Sequence, residues 1–447
     1  MIILLSINAD QILAAGGILH RIFNYRHMVI AFIVLVITAL TLIGVERYTG
    51  GRIWDWGHFY YAAEALTQGN NPYESGERGY IYPVSFAWLI QPLLVLGFEG
   101  SAAAFILVMG ICCVGSVLLL ERSMQIVAPD TKKATVSAAV LIGFILVSDK
   151  FNSTLTNSQT DGLLIFCFAV ALYYLRSRAI WAGLAIALAA SLKYHALLFI
   201  VLFFLRGHWR AGWAGLLGFV SLMLVPALTV GWGTNLGYLA DAFGGLGQML
   251  ANTPLVRSGA DLATTAAIAP ISWERSISLT SAFARLADWL PDGFGYISYG
   301  VLLLLMACVA GVCAAGYYRA GINPFGLDRA RSHEHQSIRI DACDFALILT
   351  VIIVFAPQST ARHFIYALPT LSLVALTALN SRSPIVKWGL LGGSAAFCLA
   401  LNLPLSQYPD LMNAWRSWSV ASWILLFLTI ALPFFYLRQF TAPHRAK

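Results

Sequence analysis

Ionisable residues are scarce in this sequence, and several of them stand in short polar segments between long apolar runs. Asp55 is flanked by Trp54 and Trp56, with Tyr60 shortly after it. A carboxylate among aromatic rings is poorly solvated, which suits it to accept a proton. Asp55 also stands where a helix N-cap would stand, since residues 62–66 predict a short helix with a small-residue face.

A second polar segment, residues 152–161, carries almost no charge and contains Asn157, Gln159 and Asp161. Amide and carboxylate groups of this kind form hydrogen bonds with sugar hydroxyls. A helix cap at Thr160 or Asp161 is the alternative interpretation, because these residue types also begin helices.

Cationic residues occupy three further segments. Lys193, beside His195, falls in a tight turn between two apolar runs, where an ammonium suits a lipid phosphate or extends to the membrane interface. Arg362 can bind a phosphate with two hydrogen bonds, and the adjacent His363 can exchange a proton near neutral pH. Arg275 adds one more guanidinium near the end of a long polar segment.

Composition determines which elements can position these side chains. Only 11% of the 447 residues are charged and 59% are hydrophobic, with a mean hydropathy of +0.74. Soluble domains carry about 25% charged residues, so repeated apolar runs near bilayer length explain the deficit better. The sequence therefore predicts an all-α, polytopic transmembrane protein that forms a single domain over residues 1–447.

The distribution of basic residues predicts the orientation of the chain. Lys and Arg cluster in alternate segments, which positive-inside logic places in the cytoplasm. If every apolar run is counted as a span, the basic residues from Arg122 to Lys133 fall outside. All basic clusters fall in the cytoplasm if segment 83–98 does not span the membrane, which gives about twelve spans (11–13) with both termini inside. The large external segments are then 46–98 and 231–295, whose aromatic residues predict interfacial helices, most clearly in the first of them.

This topology places the candidate residues together on the non-cytoplasmic face. The apolar runs themselves are expected to be nearly free of ionisable groups, which indicates a site at one interface and not a pathway through the bilayer. The net charge of +7 is scattered over short segments, so no nucleic acid is expected as a partner. We interpret the seven cysteines as small packing residues, and we expect no metal or cofactor.

Three ordered blocks carry a family resemblance. The blocks are Asp55 with Tyr60-Tyr61-Ala62-Ala63, Gly69, Pro72-Tyr73, Tyr80, Tyr82-Pro83 and Gln91-Pro92-Leu93; Asn157 and Gln159 through Ala182-Gly183-Leu184 to Lys193; and Ala356-Pro357 and Ser359 to His363 and Leu368-Pro369. In this order and spacing the sequence resembles the GT-C membrane glycosyltransferases, specifically glycosyltransferase family 87, which are similar to polyprenol-phosphate-mannose-dependent mannosyltransferases. Arg362 stands where such sequences often have a first histidine.

The resemblance implies transfer of a hexose, most readily mannose, with inversion at C1. The donor would be a polyprenyl-phosphate sugar and the acceptor a glycolipid or cell-surface glycan, at the periplasmic or extracellular face of the inner or plasma membrane among membrane lipids. Asp55 or His363 would act as the catalytic base. The remaining roles would be donor-phosphate binding by Lys193, Arg362 and Arg275, and contact with sugar or acceptor by Trp54, Trp56, Tyr60, Asn157, Gln159 and Asp161.

Two other functions remain open at the level of sequence. A polymerase or ligase acting on lipid-linked sugars would also work at the external face, but it would centre on Arg and His of a large late loop. A non-enzymatic lipid or sugar transporter would need inverted repeats and polar groups near mid-membrane, and neither is evident in the sequence.

Overall fold

The structure, a computed structural model, describes residues 25–49, 54–75, 80–252, 269–291, 293–324, 334–403 and 409–441. These residues form helices and contain no strand, which confirms the predicted all-α class. The first nine helices are α1 (Tyr25–Thr49), α2 (Trp54–Thr67), α3 (Val84–Ile90), α4 (Gly97–Val127), α5 (Lys133–Thr156), α6 (Asp161–Tyr174), α7 (Ala179–Leu192), α8 (Leu197–Leu205) and α9 (Trp209–Leu224). The others are α10 (Ala227–Val230), α11 (Trp232–Leu250), α12 (Leu279–Trp289), α13 (Gly295–Arg319), α14 (Glu334–Val354), α15 (Leu368–Asn380), α16 (Pro384–Asn402), α17 (Pro409–Ser417) and α18 (Val420–Thr441).

Many of these helices suit a bilayer. Among the described residues, eight helical stretches are long and apolar enough to cross a membrane, and three shorter apolar helices, α6, α7 and the stretch 194–205, accompany them. The chain is therefore a polytopic membrane protein, while the count of twelve spans stays a prediction. The segment 83–98 forms the short helix α3 and a 3₁₀-helix, Gln91–Leu96, which lead directly into the 31-residue α4.

Close helix contacts depend on small residues. This is usual in membranes, because lipid is as apolar as the side chains and helices associate through close packing. Helices α7 and α9 meet at Gly183, where an added Cβ would lie 2.3 Å from the carbonyl oxygen of Ala211 and 2.7 Å from the nitrogen of Gly215. Both neighbours are backbone atoms, which cannot rotate away. The position of Lys193, which follows α7 directly, therefore depends on this backbone contact.

Ion pairs join the helices at the ends remote from Asp161. Helix α6 begins at Asp161 and has 14 residues, a length of about 21 Å. Just beyond its far end, Arg176 binds Asp341 of α14 at 2.5 Å. Nearby, Arg206 binds Asp344 at 2.7 Å. These pairs hold the segments that follow α6 and α8 against α14.

A third pair lies on α4. Arg26 of α1 donates two hydrogen bonds to the buried carboxylate of Glu121, at 2.7 and 2.9 Å. Glu121, Asp341 and Asp344 lie at or next to the ends of apolar runs, so the expectation that these runs are nearly free of ionisable groups stays a prediction. A single ionised group near a helix end scarcely changes the hydropathy of a run, so the apolar pattern could not reveal these pairs. The seven cysteines are free thiols.

We predict that Gly183→Ala lowers the thermal unfolding temperature of the detergent-solubilised protein. The extra methyl must displace backbone in α9, which corresponds to a loss of about 1–3 kcal/mol. The matched control is Gly237→Ala on α11, where an added Cβ meets nothing within 4 Å. That variant should unfold at the wild-type temperature or slightly above it, because alanine favours helix. Equal unfolding temperatures for the two variants would contradict the prediction.

Candidate active site

Helix α2 presents Asp55 at its first turn. The adjacent Trp56 is only 1% exposed, its indole N–H donates to Ser101 Oγ at 3.2 Å, and its ring packs on Phe105 at 4.8 Å between centroids. The buried Phe59 anchors the next turn, so the carboxylate of Asp55 stays at the surface with 28% of the side chain exposed. Trp56 has no free ring face, which corrects its predicted contact with a sugar.

The other aromatic candidates of this segment are placed differently. Tyr60 is half-buried, and its ring packs edge-on against Phe98 at 5.1 Å between centroids. The side chain of Trp54 lies outside the described residues. Contact of either residue with a sugar stays a prediction.

The segment after α5 brings two predicted polar residues into contact with other candidates. The Gln159 amide donates to the carboxylate of Asp55, and Asp161 accepts a hydrogen bond from Lys193. Asn157 instead donates to the carbonyl of Ser153 at 2.8 Å and closes the end of α5. No side-chain capping bond forms at the start of α6, and Asp161 contacts Lys193 instead.

A buried cluster forms around Lys193, which follows α7. Its ammonium contacts the Asp161 carboxylate, lies 3.1 Å from His363 Nε2 and donates to the Tyr366 hydroxyl at 3.3 Å. Tyr366 also donates to Asp161. Burial lowers the pKa of Lys193 from its ordinary value, and the charge of Asp161 opposes this shift. The lysine is held in place by protein groups on several sides, which fixes the relative positions of α6, α7 and the segment before α15.

Adjacent residues of the 3₁₀-helix Ala361–Ala367 face different parts of the site. The backbone N–H of Thr360 donates to His363 Nδ1 at 3.2 Å, so that ring nitrogen accepts and carries no proton. The other ring nitrogen faces Lys193, so both ring nitrogens of the half-buried His363 face protein groups. Arg362 instead lies with one guanidinium nitrogen 3.5 Å from the Asp55 carboxylate. Successive residues of such a helix are about 120° apart, which explains the divergence.

The segment that carries Arg275 is fastened to the same 3₁₀-helix region. Ile277 donates its N–H to the carbonyl of Ser359 at 2.7 Å, and the N–H of Ser359 donates to the Ser276 hydroxyl at 2.9 Å. These reciprocal bonds place the exposed side chain of Arg275 near Arg362, although 87 positions separate the two residues along the chain.

A cavity of about 320 Å³ is lined by three arginines, Arg275, Arg362 and Arg416, of which Arg362 also pairs with Asp55. We call it the arginine cavity. Trp273 and Trp415 line it as well. Apolar residues at the end of α16 and the start of α18 complete the wall; these are Ala400, Leu401, Leu403, Val420 and Ala421. Positive charge, aromatic faces and an apolar wall therefore meet in one space.

Two contributors to the site were missed by sequence reasoning. Tyr366 follows His363 by three positions, and a polar side chain at that spacing on a helical segment was the available signal. Arg416 is a basic residue in the last turn of the short amphipathic helix α17. Among the described residues, no group of three or more His, Cys, Asp or Glu side chains is arranged to hold a metal ion.

Together, the apolar helices and the charged groups gathered at their ends define a polytopic membrane protein with a polar site beside an open cavity. The model of glycosyltransferase family 87 matches residues 80–328, more than half of the chain, and the protein belongs to this family. It is thus a membrane glycosyltransferase, and the resemblance found in the sequence is confirmed.

Among solved structures, the crystal structure of ArnT from Cupriavidus metallidurans in the apo state is similar, with 12% sequence identity and a TM-score of 0.39. The similarity covers 91% of this chain and 77% of that chain. No curated protein matches the sequence.

We predict that Lys193→Met strongly destabilises the protein. The substitution leaves the fully buried Asp161 without its cation, and an unpaired buried charge costs about 3–5 kcal/mol. Lys193→Met combined with Asp161→Asn removes both charges and should unfold at a higher temperature than Lys193→Met alone. Thermal unfolding of the single and double variants measures this coupling, and simple additivity of the two effects would show that the pair is not coupled.

Proposed function

We propose that the protein transfers a hexose, mannose in the first instance, from a polyprenyl-phosphate donor to a hydroxyl of a glycolipid or cell-surface glycan. Transfer would occur with inversion at C1, on the external face of the plasma membrane. The observation that carries this proposal is the pairing of Asp55, a partly exposed carboxylate, with Arg362, which lines the arginine cavity. A proton acceptor and a phosphate-binding surface thus adjoin each other, as inverting transfer from a glycosyl phosphate requires.

Asp55 is the catalytic base in this proposal. Its side chain is 28% exposed, while both ring nitrogens of His363 already face protein groups. A base must reach the proton that it removes, and only Asp55 meets that requirement as the site stands. His363 lies against Lys193, and the amide of Gln159 orients the Asp55 carboxylate.

The leaving phosphate is held by Arg362 and Arg275. Negative charge develops on the phosphate as the bond to C1 breaks, and preorganised cations stabilise that charge in the transition state. Lys193 was a third candidate for this role. Because its side chain is only 12% exposed and paired with Asp161, we assign it to positioning of the 3₁₀-helix that carries Arg362.

The lining of the cavity also suits the rest of the donor. Trp273 and Trp415 present indole groups, whose faces pack well on the apolar side of a pyranose ring. The apolar residues of α16 and α18 provide a wall along which a polyprenyl chain would lie. The sugar would thus lie toward Asp55, and the lipid chain toward the membrane helices.

We predict that Asp55→Asn lowers transfer of radiolabelled mannose from polyprenyl-phosphate mannose into membrane lipids by roughly 10²–10⁴-fold. The amide keeps the size of the side chain but cannot accept the proton. Glu64→Gln is the matched control, because it removes a half-buried carboxylate of the same helix away from the cavity. This control should retain wild-type activity at equal membrane abundance.

Other outcomes of this assay are informative. Equal activity of wild type and Asp55→Asn would remove Asp55 as the base and return that role to His363. Absence of transfer in the wild type with every polyprenyl-phosphate sugar would contradict the proposed donor class.

A further inference from the structure

The arginine cavity has more positive charge than a glycosyl phosphate donor requires. Three guanidinium groups line it, and among the described residues the ion pair of Arg362 with Asp55 is the only one that these arginines form. One carboxylate against three arginines leaves a net charge of about +2. Since arginine stays protonated at any physiological pH, this charge is permanent.

The charge of the phosphate changes during the proposed reaction. The donor is a phosphodiester with one negative charge. When the C1–O bond breaks, its electron pair stays on the phosphate oxygen, the acceptor oxygen bonds to C1, and Asp55 takes the acceptor proton. The released lipid phosphate is a monoester with a charge of about −1.5 to −2 at neutral pH. The positive charge of the cavity therefore complements the charge of the leaving group better than the charge of the intact donor.

Resting on the proposed function, we infer that Arg416 is a third ligand of the leaving lipid phosphate, beside Arg362 and Arg275. The site would prefer the monoester dianion to a diester of the same lipid. Stronger binding of the leaving group than of the donor is also the difference that accelerates bond cleavage.

Arg416 is held firmly enough to act in this way. The neighbouring Trp415 donates its indole N–H to the carbonyl of Ala400 at 2.8 Å. Arg285 of α12 donates to the carbonyl of Ser417 at 2.9 Å. The Ser419 hydroxyl donates to the carbonyl of Ser278 at 2.9 Å. Helix α17 is thus fastened to α16 and to the start of α12, so its arginine faces the cavity from a fixed frame.

Arg362 provides the second observation in favour of a ligand. Its side chain is 32% exposed and lines the cavity, and its 3.5 Å ion pair with Asp55 involves only one of its guanidinium nitrogens. The accessible N–H groups of this guanidinium can donate hydrogen bonds to a phosphate oxygen. Arg362 and Arg416 line the same cavity, which suits one phosphate group held between them.

The test measures binding directly, so it does not depend on turnover. Full-length protein in nanodiscs of neutral lipid is titrated with farnesyl monophosphate, with a farnesyl methyl phosphodiester, with farnesol and with inorganic phosphate. We expect the monoester to bind roughly tenfold or more tightly than the diester, and both farnesol and inorganic phosphate to bind more weakly still. Equal affinity of the monoester and the diester would overturn the inference, as would inorganic phosphate binding as tightly as farnesyl monophosphate.

Variants identify the residue responsible. Arg416→Gln should weaken binding of the monoester roughly tenfold or more and remove its advantage over the diester. Arg416→Lys should retain part of the monoester affinity and part of the preference for monoester over diester, because the positive charge remains. Arg210→Gln, an exposed arginine that does not line the cavity, is the control for loss of charge and should bind as wild type. Unchanged monoester binding in a folded Arg416→Gln protein would refute the assignment.

The pH dependence gives an independent signature. The second proton of a phosphate monoester leaves near pH 6, so its affinity should rise between about pH 5 and pH 7.5. A diester has no proton to lose in this range, and its affinity should stay constant. Parallel pH profiles for the two ligands would contradict selection of the dianion. Preferential monoester binding without sugar transfer from any donor would overturn only the proposed function.

Discussion

The carboxylate of Asp161 has no exposed surface, and a buried negative charge must be paired with a positive one. The ammonium of Lys193 provides this charge by direct contact. The two residues belong to the start of α6 and the end of α7. Through Lys193 the pair also contacts His363 and Tyr366, which belong to a segment about 170 positions further along the chain. The cost of the buried charges is thus offset only when these segments assemble together, which couples the fold to the site.

This enclosed pair has an open counterpart. Asp55 and Arg362 are each about one-third exposed and 3.5 Å apart, so neither group is locked into its partner as Lys193 is. The 3₁₀-helix Ala361–Ala367 links the pairs, since it presents His363 to the buried cluster and Arg362 to the cavity. One pair is therefore enclosed, while the other leaves a carboxylate and a guanidinium partly exposed.

The sequence predicted part of this arrangement well. Apolar runs and basic clusters indicated a helical membrane protein. The candidates form two neighbouring sets of contacts, Asp55 with Arg362 and Lys193 with Asp161 and His363. The pairing itself could not be predicted, because the rotation of a helix that is apolar on every side leaves no periodic signal. The burial of Trp56 and the approach of Arg416 depend on such rotations and on tertiary contacts between distant segments.

In the proposed reaction, Arg362 couples the base to the leaving group. It is the one arginine of the cavity that also contacts Asp55, at a distance longer than the 2.7–2.9 Å of an optimal charged hydrogen bond. A phosphate in the cavity competes for the same guanidinium and so weakens the hold of Arg362 on Asp55. The carboxylate then becomes a better proton acceptor only when a donor is in place. Binding of the donor would thereby activate the base for the acceptor hydroxyl.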